Sequence, residues 1–108
     1  MKLTVLGAGS FGTAIANHAS SMEHDVLLWC RRSEQANAIN DRKENPDYLH
    51  GVRLHPSLSA SADLDACLAS ADRVLTPSRF LADAAIANGV PPARVTVVEN
   101  GIAPAVPR

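Results

Sequence analysis

The chain has 108 residues, a formal net charge of −1 and 46% hydrophobic residues. That is one domain's worth of sequence, able to bury roughly two-thirds of its unfolded surface in a single core. Near-neutral charge gives no electrostatic case for nucleic acid or an anionic membrane, and no apolar run approaches the ~20 residues that span a bilayer. Lys2 leads directly into a strand and a glycine turn, which is no secretory signal. Cys30 and Cys67 lack metal-type spacing, so a reducing, cytoplasmic setting is expected.

The first predicted element is a buried strand over Leu3–Leu6. Gly7-Ala8-Gly9-Ser10-Phe11-Gly12 follows, and then a helix over Ser10–Met22 with Phe11, Ile15, Ala19 and Met22 on one stripe. A strand, a glycine turn and a helix in this order suit a dinucleotide phosphate. Gly7 permits the tight turn, Gly9 lets the backbone approach a pyrophosphate, and Gly12 lets the helix pack close to the strand. The helix N-terminus adds unpaired N–H groups and a favourable dipole. The alternative is a glycine turn kept only for close packing.

Asp25–Trp29 reads as a second strand and Ser33, as an N-cap, opens a helix to about Asn40. Asp41–Pro56 is polar, holds Pro46, Gly51 and Pro56, and reads as a loop. A short third strand is expected over Leu58–Ser61, a helix over Asp63–Ala69 and a fourth strand over Arg73–Thr76. Ser78 caps a helix running to Asn88, with Gly89 as its stop. A fifth strand over Arg94–Val98 precedes a tail, Glu99–Arg108. This alternation predicts one Rossmann-like α/β domain over 1–108, three layers deep. Its five-stranded parallel sheet has the order 3-2-1-4-5, and a crevice opens at the carboxyl ends of strands 1 and 4.

The end of strand 2 bears on the cofactor. An NAD site places Asp or Glu there for the ribose 2′-hydroxyl. This chain has Cys30-Arg31-Arg32 instead. Guanidinium groups suit a 2′-phosphate and stack on adenine, so NADP is expected, with NAD weaker. The alternative is that Arg31 and Arg32 are solvated loop charges.

Residues 1–72 resemble the amino-terminal domain of bacterial NAD(P)-dependent glycerol-3-phosphate dehydrogenase. The resemblance rests on Gly7-Ala8-Gly9-Ser10-Phe11-Gly12-Thr13-Ala14, Leu28-Trp29-Cys30-Arg31-Arg32, Ile39-Asn40, Glu44-Asn45-Pro46-Asp47-Tyr48-Leu49 and Gly51-Val52-Arg53-Leu54. It implies that Ser10 and Phe11 contact the pyrophosphate and the nicotinamide side, that Arg31 and Arg32 contact the adenosine phosphate, and that Tyr48 borders the pocket. Pro77, after the fourth strand, joins these candidate contacts. Residues 73–108 are similar instead to the last strand–helix–strand of the amino-terminal domain of GT-B family 4 glycosyltransferases. That similarity runs over Ala71-Asp72-Arg73-Val74-Leu75-Thr76-Pro77-Ser78-Arg79-Phe80-Leu81 and Gly89-Val90-Pro91-Pro92-Ala93-Arg94-Val95-Thr96-Val97-Val98-Glu99-Asn100-Gly101-Ile102. Together they suggest an engineered chimera of two half-domains, with a divergent natural protein as the alternative.

The dehydrogenase resemblance implies a lysine after strand 5 and a helical substrate domain. Val98-Glu99-Asn100-Gly101 stands at the first place, and Lys2 and Lys43 are the chain's only lysines. The expectation is an NADP-type binding domain without catalytic residues or turnover. A folded chain without ligand affinity is the second reading. A glycosyltransferase fragment is the third, and residues 1–72 argue against it. His18 falls near the buried stripe of the first helix, while His24, His50 and His55 read as loop residues without metal-ligand spacing. Asp63, Asp65 and Asp72 read as capping and solvating groups. Cys67 reads as core, and Cys30 as a strand-end residue that borders the adenosine pocket or has no role there. Apolar Val95, Val97 and Val98 on a last strand suggest a weak homodimer.

Overall fold

Five short strands form one parallel sheet in the computed structural model, which describes residues 1–46 and 51–98. In chain order the elements are β1 (Lys2–Leu6), α1 (Ser10–Ser21), β2 (Asp25–Trp29), α2 (Ser33–Arg42), β3 (Ser59–Ser61), α3 (Leu64–Ala69), β4 (Arg73–Thr76), α4 (Arg79–Ala87) and β5 (Val95–Val97). A 3₁₀ turn, Pro92–Arg94, leads into β5. The strand order is β3-β2-β1-β4-β5, as the alternation predicts. β1 pairs with β2 from Lys2 opposite Asp25 to Leu6 opposite Trp29, and with β4 from Leu3 opposite Arg73.

Strand residues divide between the two faces with period two. Leu3, Val5, Val26, Leu28 and Leu75 enter a core with Ile15, Ala16 and Ala19 of α1 and Ala36 and Ile39 of α2. Leu6 and Val74 face the other side with Ala85 of α4, where Trp29, Leu64, Leu68 and Leu81 pack. Hence α1 and α2 cover one face and α3 and α4 the other, and the chain changes face after β3. Small residues on α1 let it lie close to the sheet.

Several boundaries differ from expectation. Arg32, not Ser33, takes the N-cap place of α2, and Ser33 is the first helical residue; no side-chain cap bond forms there. α2 continues to Arg42 and stops because Lys43 turns left-handed, with φ 53°. Met22 is the C-cap of α1 and lies outside the helix. Asp63 caps α3 by accepting from Ala66 N–H, so that helix begins at Leu64. Leu58 precedes β3 and Arg94 precedes β5. Ser78 caps α4 as expected, accepting from Leu81 N–H at 3.2 Å, and Gly89 takes φ 101° just past that helix. Tyr48 and the tail Glu99–Arg108 lie outside the described residues.

The Asp41–Pro56 stretch begins with the end of α2 and is a loop over its remaining described residues, as expected, but it is not wholly solvated. Asn45 and Leu54 in it are fully buried. Leu54 joins the α1–α2 core, and its N–H donates to Lys43 C=O at 2.8 Å. Of the histidines, His24 and His55 lie in loops as expected, and His50 lies outside the described residues. His18 is exposed on α1, whereas His24 is buried in the turn before β2. The His24 Nε2 and the Ser20 hydroxyl are buried without a hydrogen-bond partner among the described residues. No helix among the described residues is long and apolar enough to cross a membrane.

Candidate functional site at the carboxyl edge of the sheet

The chain leaves β1 through Gly7, whose φ of 100° a residue with a side chain would strain to adopt. Gly7 N–H donates to Trp29 C=O at 3.2 Å, which ties the turn to the end of β2. Gly9 is the N-cap of α1 in an extended conformation, φ −73° and ψ −175°. A Cβ added at Gly9 meets nothing within 4 Å, so this backbone faces open space. A Cβ at Gly12 would sit 1.9 Å from Gly7 O. The helix therefore begins directly against the turn, and only a glycine fits between them. Gly7 makes the bend and Gly12 the close packing that the spacing predicts, and the backbone at Gly9 is left open.

A crevice of about 710 Å³ opens beside this turn. Gly7, Ala8 and Gly9 line one part of it, Arg31 and Arg32 another, and Gln35, Pro46 and Leu81 the rest. Both arginines are exposed. Leu81 belongs to α4, so the crevice lies between the first and second halves of the sheet, at the reversal of strand order. The walls present backbone amides, two guanidinium groups and a carboxamide. This donor-rich set suits an elongated polyanion.

Ser10, Phe11, Gly12 and Pro77 are not among the residues that line this crevice, and Tyr48 lies outside the described residues. Ser10 is exposed as the first residue of α1. Phe11 is half-buried, packed on the α1–α2 core. Pro77 is half-buried after β4. Beside it, Thr76 Oγ1 accepts from Ser78 N–H at 3.1 Å and lies 3.2 Å from Leu6 C=O, bracing the two strand ends. Cys30 does not border the crevice. It is fully buried in the core, and burial, with the neighbouring Cys67, pushes its thiol up to about 12. Cys67 is buried as expected, and burial raises its pKa too. Asp63 caps a helix and Asp72 accepts from Lys2 N–H at 2.8 Å, so neither is placed for acid–base work. Among the described residues no three His, Cys, Asp or Glu side chains gather as a metal set.

The sequence reading missed a buried polar network behind the turn. Gln35 Nε2 donates to Ala8 C=O at 3.0 Å and to Asn45 Oδ1 at 3.1 Å. Asn45 Nδ2 donates to the same Ala8 C=O at 3.0 Å and contacts Thr13 Oγ1 at 2.9 Å. One signal was present: Gln35 shares a helical stripe with Ala38 and Ile39, an odd place for a carboxamide unless it has partners.

A parallel sheet of this order, with a glycine turn and a polar crevice at its reversal point, defines the Rossmann-like class of α/β domains. Residues 2–98 match the family described as NAD-dependent glycerol-3-phosphate dehydrogenase N-terminus. The chain is 46% identical over 84 residues to glycerol-3-phosphate dehydrogenase [NAD(P)+] of Ectopseudomonas mendocina, covering 76% of this chain and 25% of that protein. It is 48% identical over 81 residues to the enzyme of the same description from Corynebacterium aurimucosum, covering 73% and 24%. Among solved structures, glycerol-3-phosphate dehydrogenase from Coxiella burnetii superposes with a TM-score of 0.64 at 31% identity, over 69% of this chain and 23% of that one. Yeast glycerol-3-phosphate dehydrogenase reaches a TM-score of 0.75 over 92% of this chain and 33% of that one, at 24% identity, a likeness of fold. The chain therefore belongs to the NAD-dependent glycerol-3-phosphate dehydrogenase amino-terminal family, and it spans about a quarter of the length of these curated relatives.

Proposed function

We propose that this domain binds an NAD(P)-type dinucleotide along the crevice and prefers the 2′-phosphorylated form. The observation that carries the reading is one continuous crevice bounded by the open glycine turn and by Arg31 and Arg32. The pyrophosphate lies against Gly9, where a Cβ would find only empty space, and Ser10 and Phe11 flank it at the start of α1. Arg31 and Arg32 take the adenosine 2′-phosphate, and Pro77 borders the ligand. Equilibrium titration with NADPH and NADH tests this. Loss of one charged hydrogen bond costs about 1.5–3 kcal/mol, so NADPH binds roughly tenfold or more tighter than NADH. Equal affinities, or an NADPH affinity unchanged in Arg31→Ala/Arg32→Ala, refute the assignment.

The domain acts here as a binding module without turnover. Hydride transfer needs a substrate held against the nicotinamide and a proton donor at its carbonyl, and the described residues place no acid or lysine at the crevice. The glycerol 3-phosphate chemistry in the relatives' names would need groups beyond this domain. A second reading concerns origin: two half-domains joined near residue 72. The curated alignments of 67 to 84 residues leave part of the chain unmatched, which favours it, whereas the family match runs on to residue 98.

A further inference from the structure

The Ala8 carbonyl is an unusual acceptor, because two separate side-chain amides converge on it. Gln35 reaches it from the first turns of α2 and Asn45 from the segment after that helix, both at 3.0 Å. The two amides also bond each other at 3.1 Å, and Asn45 meets Thr13 of α1 at 2.9 Å. All three side chains are at least nine-tenths buried. A buried cluster of this kind is costly unless satisfied, and when satisfied it fixes one geometry. What it fixes here is the peptide between Ala8 and Gly9.

That peptide is trans, as is every peptide among the described residues. In a trans peptide the C=O and the N–H point in opposite directions. Holding Ala8 C=O towards the Gln35 and Asn45 amides therefore turns Gly9 N–H away from them. Gly9 N–H donates no hydrogen bond among the described residues. It is free for an anion, and the direction in which it points is set from behind.

We infer that Gln35 and Asn45 are positioning residues for phosphate recognition, aiming Gly9 N–H into the crevice by clamping the Ala8 carbonyl. The inference rests on the nucleotide reading above for its ligand. A role limited to filling the core would leave ligand discrimination untouched, and that difference can be measured. Gln35→Met keeps the side-chain volume and removes the donor; Asn45→Ala removes the second donor. Each variant of the full chain is titrated with NADPH and with adenosine 2′-monophosphate, which carries the arginine-binding end and no pyrophosphate. NADPH weakens at least tenfold, and adenosine 2′-monophosphate changes by less than twofold. Equal losses for the two ligands overturn the inference. In the free chain, the Gly9 amide NMR signal moves in both variants while the methyl signals of Ile15 and Leu28 stay in place. A Gly9 signal that does not move overturns the inference whatever the ligand data show. If the unmodified chain binds no NADPH, the nucleotide reading fails and the Gly9 amide signal alone decides this one. If Asn45→Ala does not fold, Gln35→Met carries both measurements.

Discussion

Gly12→Ala and Gly9→Ala are the same chemical change three residues apart, and the structure predicts opposite outcomes for them. At Gly12 the new Cβ would lie 1.9 Å from Gly7 O and 3.1 Å from Gly7 C. Real Cβ atoms stay at least 3.0 Å away, so helix and turn must part by about 1.1 Å, the difference of those two distances. The obstacle is backbone, and no rotamer relieves it. Overpacking of this kind costs about 1–3 kcal/mol, and a rigid backbone neighbour places it near the top of that range. Alanine's helix propensity returns up to about 1 kcal/mol, leaving a net loss of about 2 kcal/mol. For a domain of this size that lowers Tm by roughly 8–16 °C. At Gly9 the Cβ meets nothing and φ is −73°, so Gly9→Ala changes Tm by only a degree or two either way, while NADPH binding falls as the methyl takes space the pyrophosphate needs. Thermal unfolding followed by circular dichroism and by Trp29 fluorescence, alongside NADPH titration, measures both effects. A Gly12→Ala chain with unchanged Tm would show that the helix does not start against the turn. A Gly9→Ala chain that loses stability would show that the open face is occupied by protein.

Three further outcomes follow from buried groups and edges. Ser20 Oγ is buried on α1 without a partner among the described residues, so Ser20→Ala should stabilise the chain by about 1 kcal/mol, read as a rise in urea midpoint at constant slope; a fall would mean the hydroxyl is satisfied. Cys30 is protonated in the folded state up to about pH 12 and titrates earlier when unfolded. Its contribution is therefore intact below the unfolded thiol pKa and is lost as pH rises towards 12, and Cys30→Ala should flatten that alkaline decline. β5 stands at the end of the strand order with three half-buried residues, and Phe80 on α4 is 75% exposed. Weak self-association through this side is expected, and sedimentation at rising concentration should show it; an invariant monomer mass that Val97→Lys leaves unchanged excludes that surface.

The sheet was legible because its central strands are short apolar runs and the helices between them are periodic, separated by Gly, Pro or Ser at positions where those residues act locally. Gly7, Gly9 and Gly12 were legible for the same reason, since the demands on each come from atoms a few residues away. Cys30 shows where local reading stops. Its neighbours Arg31 and Arg32 line the crevice, yet the thiol turns inward among the core residues that pack with α1 and α2. Ser33 has the chemistry of an N-cap, but β2 delivers the chain to α2 one residue earlier, and the cap falls on Arg32, which cannot accept from the backbone.

The largest miss was the stretch after α2, and its cause is general. Asn45 sits in a polar, proline-bearing sequence that reads as solvated, yet it is fully buried because its partners lie 37 and 32 residues earlier in the chain, at Ala8 and Thr13. No local pattern records a bond of that span. A polar side chain can bury there only if every donor it brings is used, so the glycine turn and the segment after α2 must be specified together. In this light the glycines supply the space for a phosphate, and the carboxamides, written far away in the sequence, supply the orientation of the group that meets it. A substitution at Asn45 should therefore change nucleotide recognition without touching the crevice wall. The Gly7–Gly12 motif read on its own gives no reason to expect that.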